Sequence, residues 1–326
     1  MRLMKDTHID FVGMRKISYA ITVIILLVLL GALIIRGLNW SIDFTSGVAA
    51  KIDLKAANAT VAPVEIDELR ASLKNNGFPE AEIQHVGPVE DATFLIKIKS
   101  AESKDEVSGD TKTAIVEIIK GNFPKHVEGR DMNREVIEEI YEVGPKVGGE
   151  LRTNALIAVL ISLVLMIVYI WFRFELIFGV MAMVALAHDA FIIIGVFALT
   201  GKEITVQIIA ALLTIVGYSI NDTIVIFDRV REDLKLRRKE PIEQIFNAAI
   251  NQTLSRTVLT FGTTLITSLA LYLFGGTVLH DFALAMIIGL IAGTYSTIFI
   301  AGNLVVDFTR ATHKEKQAMQ HLTKRK

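Results

Sequence analysis

The chain contains no cysteine. That excludes a disulfide framework, a thiol nucleophile and any cysteine-held metal or iron–sulfur site. Charge is scarce as well: Asp, Glu, Lys and Arg make up 21% of the 326 residues, below the usual quarter. Neither sign dominates, since 34 Lys and Arg face 35 Asp and Glu. A disordered chain, a collagen and a nucleic-acid binder are set aside on these grounds. No small-x-small cleavage pattern follows the first apolar run, where Arg36-Gly37-Leu38-Asn39-Trp40 stands instead, so that run reads as an uncleaved anchor. The abundant class is hydrophobic, at 52% of residues with a mean hydropathy of +0.48, and that average points to several membrane spans.

Runs without charge locate them. Ile17–Ile35, Ala155–Phe172, Thr257–Leu279 and Phe282–Val306 carry none; Leu176–Gly201 is interrupted only by His188 and Asp189, and Ile204–Phe227 only by Asp222. Each is long enough to cross about 30 Å of hydrocarbon at about 1.5 Å per residue. A polytopic α-helical membrane protein follows, with spans predicted at 16–36, 154–173, 176–201, 204–228, 256–279 and 281–307. Eighteen Lys and Arg fall on the side of the N-terminus, while the short loops opposite hold only Lys202. The positive-inside rule makes the first side cytoplasmic: residues 1–15, the basic segment 229–255 and the tail 308–326.

The stretch 37–153 then lies outside. Its 21 acids and 15 cations, counting Arg36, mark a water-soluble domain. Alternation predicts strands at Val48–Leu54 and Thr93–Lys99, and apolar stripes predict helices at Pro63–Asn76 and Ala114–Lys120. Asn133–Glu142 reads as a third helix or the lead into the second span, and Lys104–Lys112 as an exposed loop. The order suggests a small α+β sandwich. In 229–255, Ile242, Ile245, Phe246, Ala249 and Ile250 recur at helical spacing downstream of clustered Arg and Lys. A basic amphipathic helix on the membrane surface fits, and so does a partner-binding helix.

Ionisable groups inside spans are expensive and mark function. Asp222 lies in the fourth span, about 10 Å to the cytoplasmic side of its middle, among Ser219, Asn221 and Thr223. Arg256 opens the fifth span at the same depth and is placed to act as counter-charge. Asp189, with His188 before it, lies near the middle of the third. A carboxylate that takes and releases a proton or cation fits Asp222, because burial favours the neutral acid and a nearby cation the ionised form; a carboxylate that merely locks helices together is the alternative. No HxxxH or HxxE spacing in the spans suggests a metal. Gly289 and Gly293 form a GxxxG in the sixth span, a face for close helix approach.

Five stretches together resemble the SecD–SecF family of bacterial protein-export subunits, and within it the SecF branch, over nearly the full length. They are Ile42-Asp43-Phe44-Thr45-Ser46-Gly47; Val143 through Leu151; Ala187-His188-Asp189; Gly217 through Arg231; and Arg256-Thr257 with Gly293 through Phe299. Ser46 departs from the first glycine of the Asp-Phe-Thr-Gly-Gly box, and Ser296-Thr297 stands where two serines are common. The resemblance implies a fold of the resistance–nodulation–division type with a small periplasmic ferredoxin-like domain, in the bacterial inner membrane with both termini cytoplasmic. It implies SecD, the SecYEG channel and other membrane Sec accessory proteins as partners, unfolded preprotein as cargo, and no nucleic acid or bound cofactor. It also implies an ion relay of Asp222, Arg256 and Asp189, supported by His188, Asn221 and Thr223, with Asp43, Phe44, Thr45 and Gly47 as a periplasmic box. The coupling ion would be H⁺ or Na⁺. The role expected is non-enzymatic: driving late preprotein export with an ion gradient, the first and second spans carrying the motion outward. A small-molecule or lipid exporter of the same superfamily, an assembly factor without ion flux and an intramembrane aspartyl protease are the rivals; the Gly-x-Gly-Asp box of the last is missing.

Overall fold

The computed structural model describes residues 7–55, 61–99, 107–174, 176–237 and 239–323. Among the described residues, six helices are long and apolar enough to cross a membrane: Arg15–Arg36, Pro145–Ile170, Leu176–Thr200, Val206–Leu236, Ile242–Phe274 and Gly276–Thr312. The third, fourth and sixth form the interior of the bundle. The first, second and fifth turn apolar side chains such as Ile24, Leu27, Leu160, Leu165, Ile266 and Leu273 outward. A water-soluble protein does not leave apolar stripes of that extent uncovered; hydrocarbon is their natural solvent.

Gly275 and Gly276 make the turn between the fifth and sixth spans, with Gly276 at φ +69°. The sixth helix is not uniform. Gly276–Ser296 gives way to a π turn at Thr297–Ala301 and resumes at Gly302–Thr323. Such single-turn bulges cluster at functional sites, and this one sits opposite the polar residues of the third and fourth spans.

The domain between the first two spans is a four-stranded antiparallel sheet with two helices on one face. Numbering all strands along the chain, β1 is Asn39–Trp40, β2 Gly47–Asp53, β3 Glu82–His85, β4 Thr93–Lys99, β5 Ile137–Val143 and β6 Glu203–Ile204. The sheet order is β3-β4-β2-β5. With helices Ile66–Asn75 and Val107–Asn122 after β2 and β4, this is the βαββαβ ferredoxin-like topology. Leu69, Leu73, Ile115 and Ile119 pack on Ile52, Phe94 and Ile96 to make its core. Lys97 and Lys99 alternate with Phe94, Ile96 and Ile98 along β4, so they point from the opposite face.

Three local expectations are corrected. Asn133–Glu142 is not a helix but a π turn at Met132–Val136 running into β5. The spacing of Ile137 and Ile140 suits a helix, yet this segment closes the free edge of β2, and pairing outweighs local preference. Lys104–Lys112 is not wholly a loop, since helix Val107–Asn122 occupies its second half; residues 100–106 lie outside the described ones, as do Arg2, Lys5, Arg238 and Lys324–Lys326. Segment 229–255 is not a separate surface helix. The fourth helix continues to Leu236, and Ile242–Phe274 is one helix. Its Ile245, Phe246, Ala249 and Ile250 are buried against Phe178, Phe227 and Val305, so the apolar face that suggested a lipid surface is covered by protein.

Candidate functional site

Asp189 is fully buried where the third, fourth and sixth spans meet. Its Oδ2 accepts hydrogen bonds from Ser219 Oγ at 2.7 Å and Ser296 Oγ at 2.9 Å. His188 Nδ1 lies 3.0 Å from Oδ1. One turn beyond Ser219, Thr223 Oγ1 donates to the Ser219 carbonyl at 3.1 Å and sits 2.9 Å from Thr297 Oγ1. Helical geometry explains the grouping, because residues four apart share a face. Gly293 completes it: a Cβ there would lie 3.1 Å from the Ser219 side chain and 3.5 Å from Asp189 Oδ2. The glycine lets the sixth span approach closely enough for Ser296 to reach the carboxylate.

Asp222 is held differently. It is 4% exposed, yet its hydrogen bond is a long one, from Thr260 Oγ1 at 3.5 Å. The one proton of the Thr260 hydroxyl is shared with closer acceptors, the Thr257 carbonyl at 3.0 Å and the Arg256 carbonyl at 3.1 Å, and Asp222 thus stands one helical turn from Arg256. Among the described residues Asp222 makes no ion pair within 4.0 Å, and Arg256 is exposed. The two carboxylates therefore differ in chemistry. Asp189 is held by two hydroxyls and an imidazole; Asp222 is buried with one long hydrogen bond and stands one turn from a cation.

Of the residues singled out from sequence, His188, Asp189 and Thr223 come together and Asp222 stands beside them. Asn221 does not join: it is exposed on the far side of the fourth helix. Ser219, expected beside Asp222, serves Asp189 instead. Ser296, Thr297 and Thr260 were not singled out as site residues, although hydroxyls inside otherwise apolar spans were a visible signal. Among the described residues no three His, Asp or Glu side chains gather into a metal site.

The box at Asp43–Gly47 lies at the other end of the bundle. Ile42–Thr45 is one helical turn capped by Ser41, whose Oγ accepts from the Asp43 amide. Phe44 is buried among Ile193, Phe197 and Ile208 of the third and fourth spans and meets Trp40 edge-on, ring centroids 5.5 Å apart. Asp43 Oδ2 accepts from the Val206 amide at 3.3 Å, a carboxylate at the positive end of the fourth helix. Gly47 has φ +151°, and a Cβ there would collide with the Ile98 carbonyl oxygen. Ser46, at φ +76° and ψ 156°, occupies a region that is essentially reserved for glycine. Gly148, at the start of the second helix, packs on the Ser46 amide and the Phe44 carbonyl.

Residues 125–311 match the family described as protein export membrane protein SecD/SecF, C-terminal, and residues 31–48 match the SecD/SecF GG motif. The protein translocase subunit SecF of Desulfurispirillum indicum is 38% identical over 302 residues, covering 92% of this chain and 91% of that one. The protein translocase subunit SecDF of Thermus thermophilus is 40% identical over 305 residues, covering 92% of this chain and 38% of that one. The crystal structure of SecDF from Thermus thermophilus, a translocon-associated membrane protein, superposes with a TM-score of 0.77 at 39% identity and covers 94% of this chain. This chain spans about two fifths of that SecDF structure, 39% of its length.

Proposed function

Because this chain belongs to the SecD/SecF family of protein export membrane proteins, we propose that it converts an ion gradient into work on preproteins leaving the Sec channel. Its role is that of a multi-pass accessory subunit of the protein translocase. In this reading it pairs with SecD, whose counterpart is fused to it in the longer SecDF relatives, and the pair associates with SecYEG. The termini face the cytoplasm of the bacterial inner membrane, following the cation bias, and the ferredoxin-like domain faces the periplasm.

Asp222 carries the proposal. A buried carboxylate with one long hydrogen bond can change charge without breaking a network, and Arg256, one turn away, attracts it while it is ionised. Protonation weakens that attraction and lets the fourth and fifth helices shift. Asp189 and its hydroxyl partners keep the third, fourth and sixth spans together while this happens. One charge crossing 100 mV supplies about 2.3 kcal/mol, enough to bias a two-state movement. The coupling ion is assigned as a proton, because Asp222 meets one hydroxyl where a hard cation gathers a cage of oxygens.

The test is export by inner-membrane vesicles carrying Asp222→Asn. Gradient-dependent export should disappear while co-purification with the partner subunits persists. Normal gradient-dependent export by that variant would refute the relay.

A further inference from the structure

The connection Gly201–Thr205 joins the helix that carries Asp189 to the helix that carries Asp222. Beside the box at Asp43–Gly47, it is a second place where the outside domain is fastened to the bundle. β6 in this connection pairs in parallel with β1, Asn39 opposite Glu203 and Trp40 opposite Ile204. The Ser41 amide donates to the Ile204 carbonyl at 3.0 Å. Asn39 Nδ2 donates to the Gly201 carbonyl at 3.1 Å and to Glu82 Oε1 on β3 at 2.9 Å. Lys99 on β4 donates to Asn39 Oδ1 at 2.5 Å. The most buried ion pair here is Lys97 Nζ to Glu203 Oε2, 2.5 Å apart, with side chains 13% and 4% exposed. Lys202 reaches Asp281 at the head of the sixth span, at 2.6 Å.

We infer that this connection is the strut through which movement of the buried carboxylates reaches the outside domain, with Lys97 and Glu203 as its positioning residues. The inference rests on the ion-driven reading above. The first and second spans are covalently continuous with the domain; the second faces largely outward, and the first lies along the third, with Leu29 against Gly195 and Arg36 on the Leu199 carbonyl, so neither of them holds the junction between the third and fourth spans. A shift of the third span against the fourth must displace their connection. A buried ion pair cannot lose one partner cheaply, so the sheet follows Glu203 through Lys97, and β3 follows through Asn39. The polar face of the sheet is thereby given a mechanical task, which explains why lysines project from it toward the bundle.

The test uses the complete complex with its partner subunits in vesicles, with Lys97→Ala, Glu203→Gln, the exchange Lys97→Glu/Glu203→Lys, and Asp222→Asn as control. The chain has no native cysteine, so Lys120→Cys on the domain and Leu199→Cys at the outer end of the third span can be spin-labelled. Each single variant should broaden the distance distribution between the labels and cut gradient-dependent export by about tenfold, within the usual range of coupling energies between sites. The exchange should narrow the distribution and recover most of the export. If Asp222→Asn abolishes gradient-dependent export while Lys97→Ala leaves it unchanged, the strut is wrong and the relay stands. If Asp222→Asn exports normally, the relay fails first and the strut fails with it. Loss in the single variants that the exchange does not repair would also overturn the assignment.

Discussion

Asp189 Oδ2 and Ser296 Oγ meet at 2.9 Å although 107 positions separate them in sequence. With Ser219 on the same oxygen, the contact ties three spans at one fully buried point. It also separates two carboxylates that look alike in sequence: Asp189 is held by three partners, Asp222 by one long hydrogen bond.

Asp189→Ala should therefore destabilise the fold more than Asp222→Asn does. The alanine leaves two hydroxyls and an imidazole facing a void, each buried unpaired group costing about 1–3 kcal/mol. Thermal unfolding in detergent reads the order directly. A larger drop for Asp222→Asn would remove the distinction drawn between them.

Gly289→Ala and Gly293→Ala should fail for different reasons. At 289 a Cβ meets Ile215 at 2.6 Å and Ile193 at 2.9 Å, an overpacking that costs about 1–3 kcal/mol. At 293 the new methyl presses on the Ser219 side chain and weakens its hydrogen bond to Asp189. Thermal unfolding should show the larger loss at 289, and Ser219→Ala should reduce the further effect of the 293 change.

Ser46→Gly should stabilise the chain. The strain of a non-glycine residue at this φ and ψ is of order 1–3 kcal/mol, and glycine's extra chain entropy offsets about 0.5–1 kcal/mol of the relief. A net gain of about 1 kcal/mol should appear as a raised unfolding temperature. Gly47→Ala, one residue on, should prevent accumulation of the folded protein, because the obstacle is the Ile98 backbone. Unchanged stability in both variants would show that the turn adapts.

Much of this arrangement was legible in the chain itself. Four uncharged runs, two more broken only by His188-Asp189 and by Asp222, and the charged domain between the first two spans all follow from where charge is and is not. The βαββαβ order was only partly legible, since β5 carries Ile137 and Ile140 at helical spacing and becomes a strand because β2 offers an edge. The grouping of Ser219 with Asp189 rather than with Asp222, three residues away on the same helix, depends on how spans three, four and six cross, which no local pattern encodes. The place of Glu203 was hidden for the same reason: a lone acid in a short loop acquires meaning only when Lys97, 106 positions earlier, is found beside it.

Acidification should loosen the segment Ile9–Val12, which precedes the first span and is hydrogen-bonded to Asn247 and Asn251 of the fifth helix. The Gly13 amide and the Asn247 side chain donate to Asp10 and hold its carboxyl below the usual carboxylate range. A group with a depressed folded value stabilises at pH above its unfolded pKa, and that stability is lost as pH falls through the folded value. Amide exchange at Ile9 and Val12, which are bonded to Asn251 and Asn247, should stay slow relative to the intrinsic rate down to about pH 4 and lose protection below it. In Asp10→Asn the step should vanish. Protection independent of pH in the unaltered chain would contradict this.

The measurement closest to the central claim is proton flux through the complete complex in proteoliposomes under an imposed gradient. With Asp222→Asn the flux should fall to the background of protein-free vesicles, while Asp189→Asn, which keeps a side chain able to hydrogen-bond with Ser219 and Ser296, should retain part of it. Flux at the unaltered level in Asp222→Asn would show that the bare carboxylate is not the exchanging group.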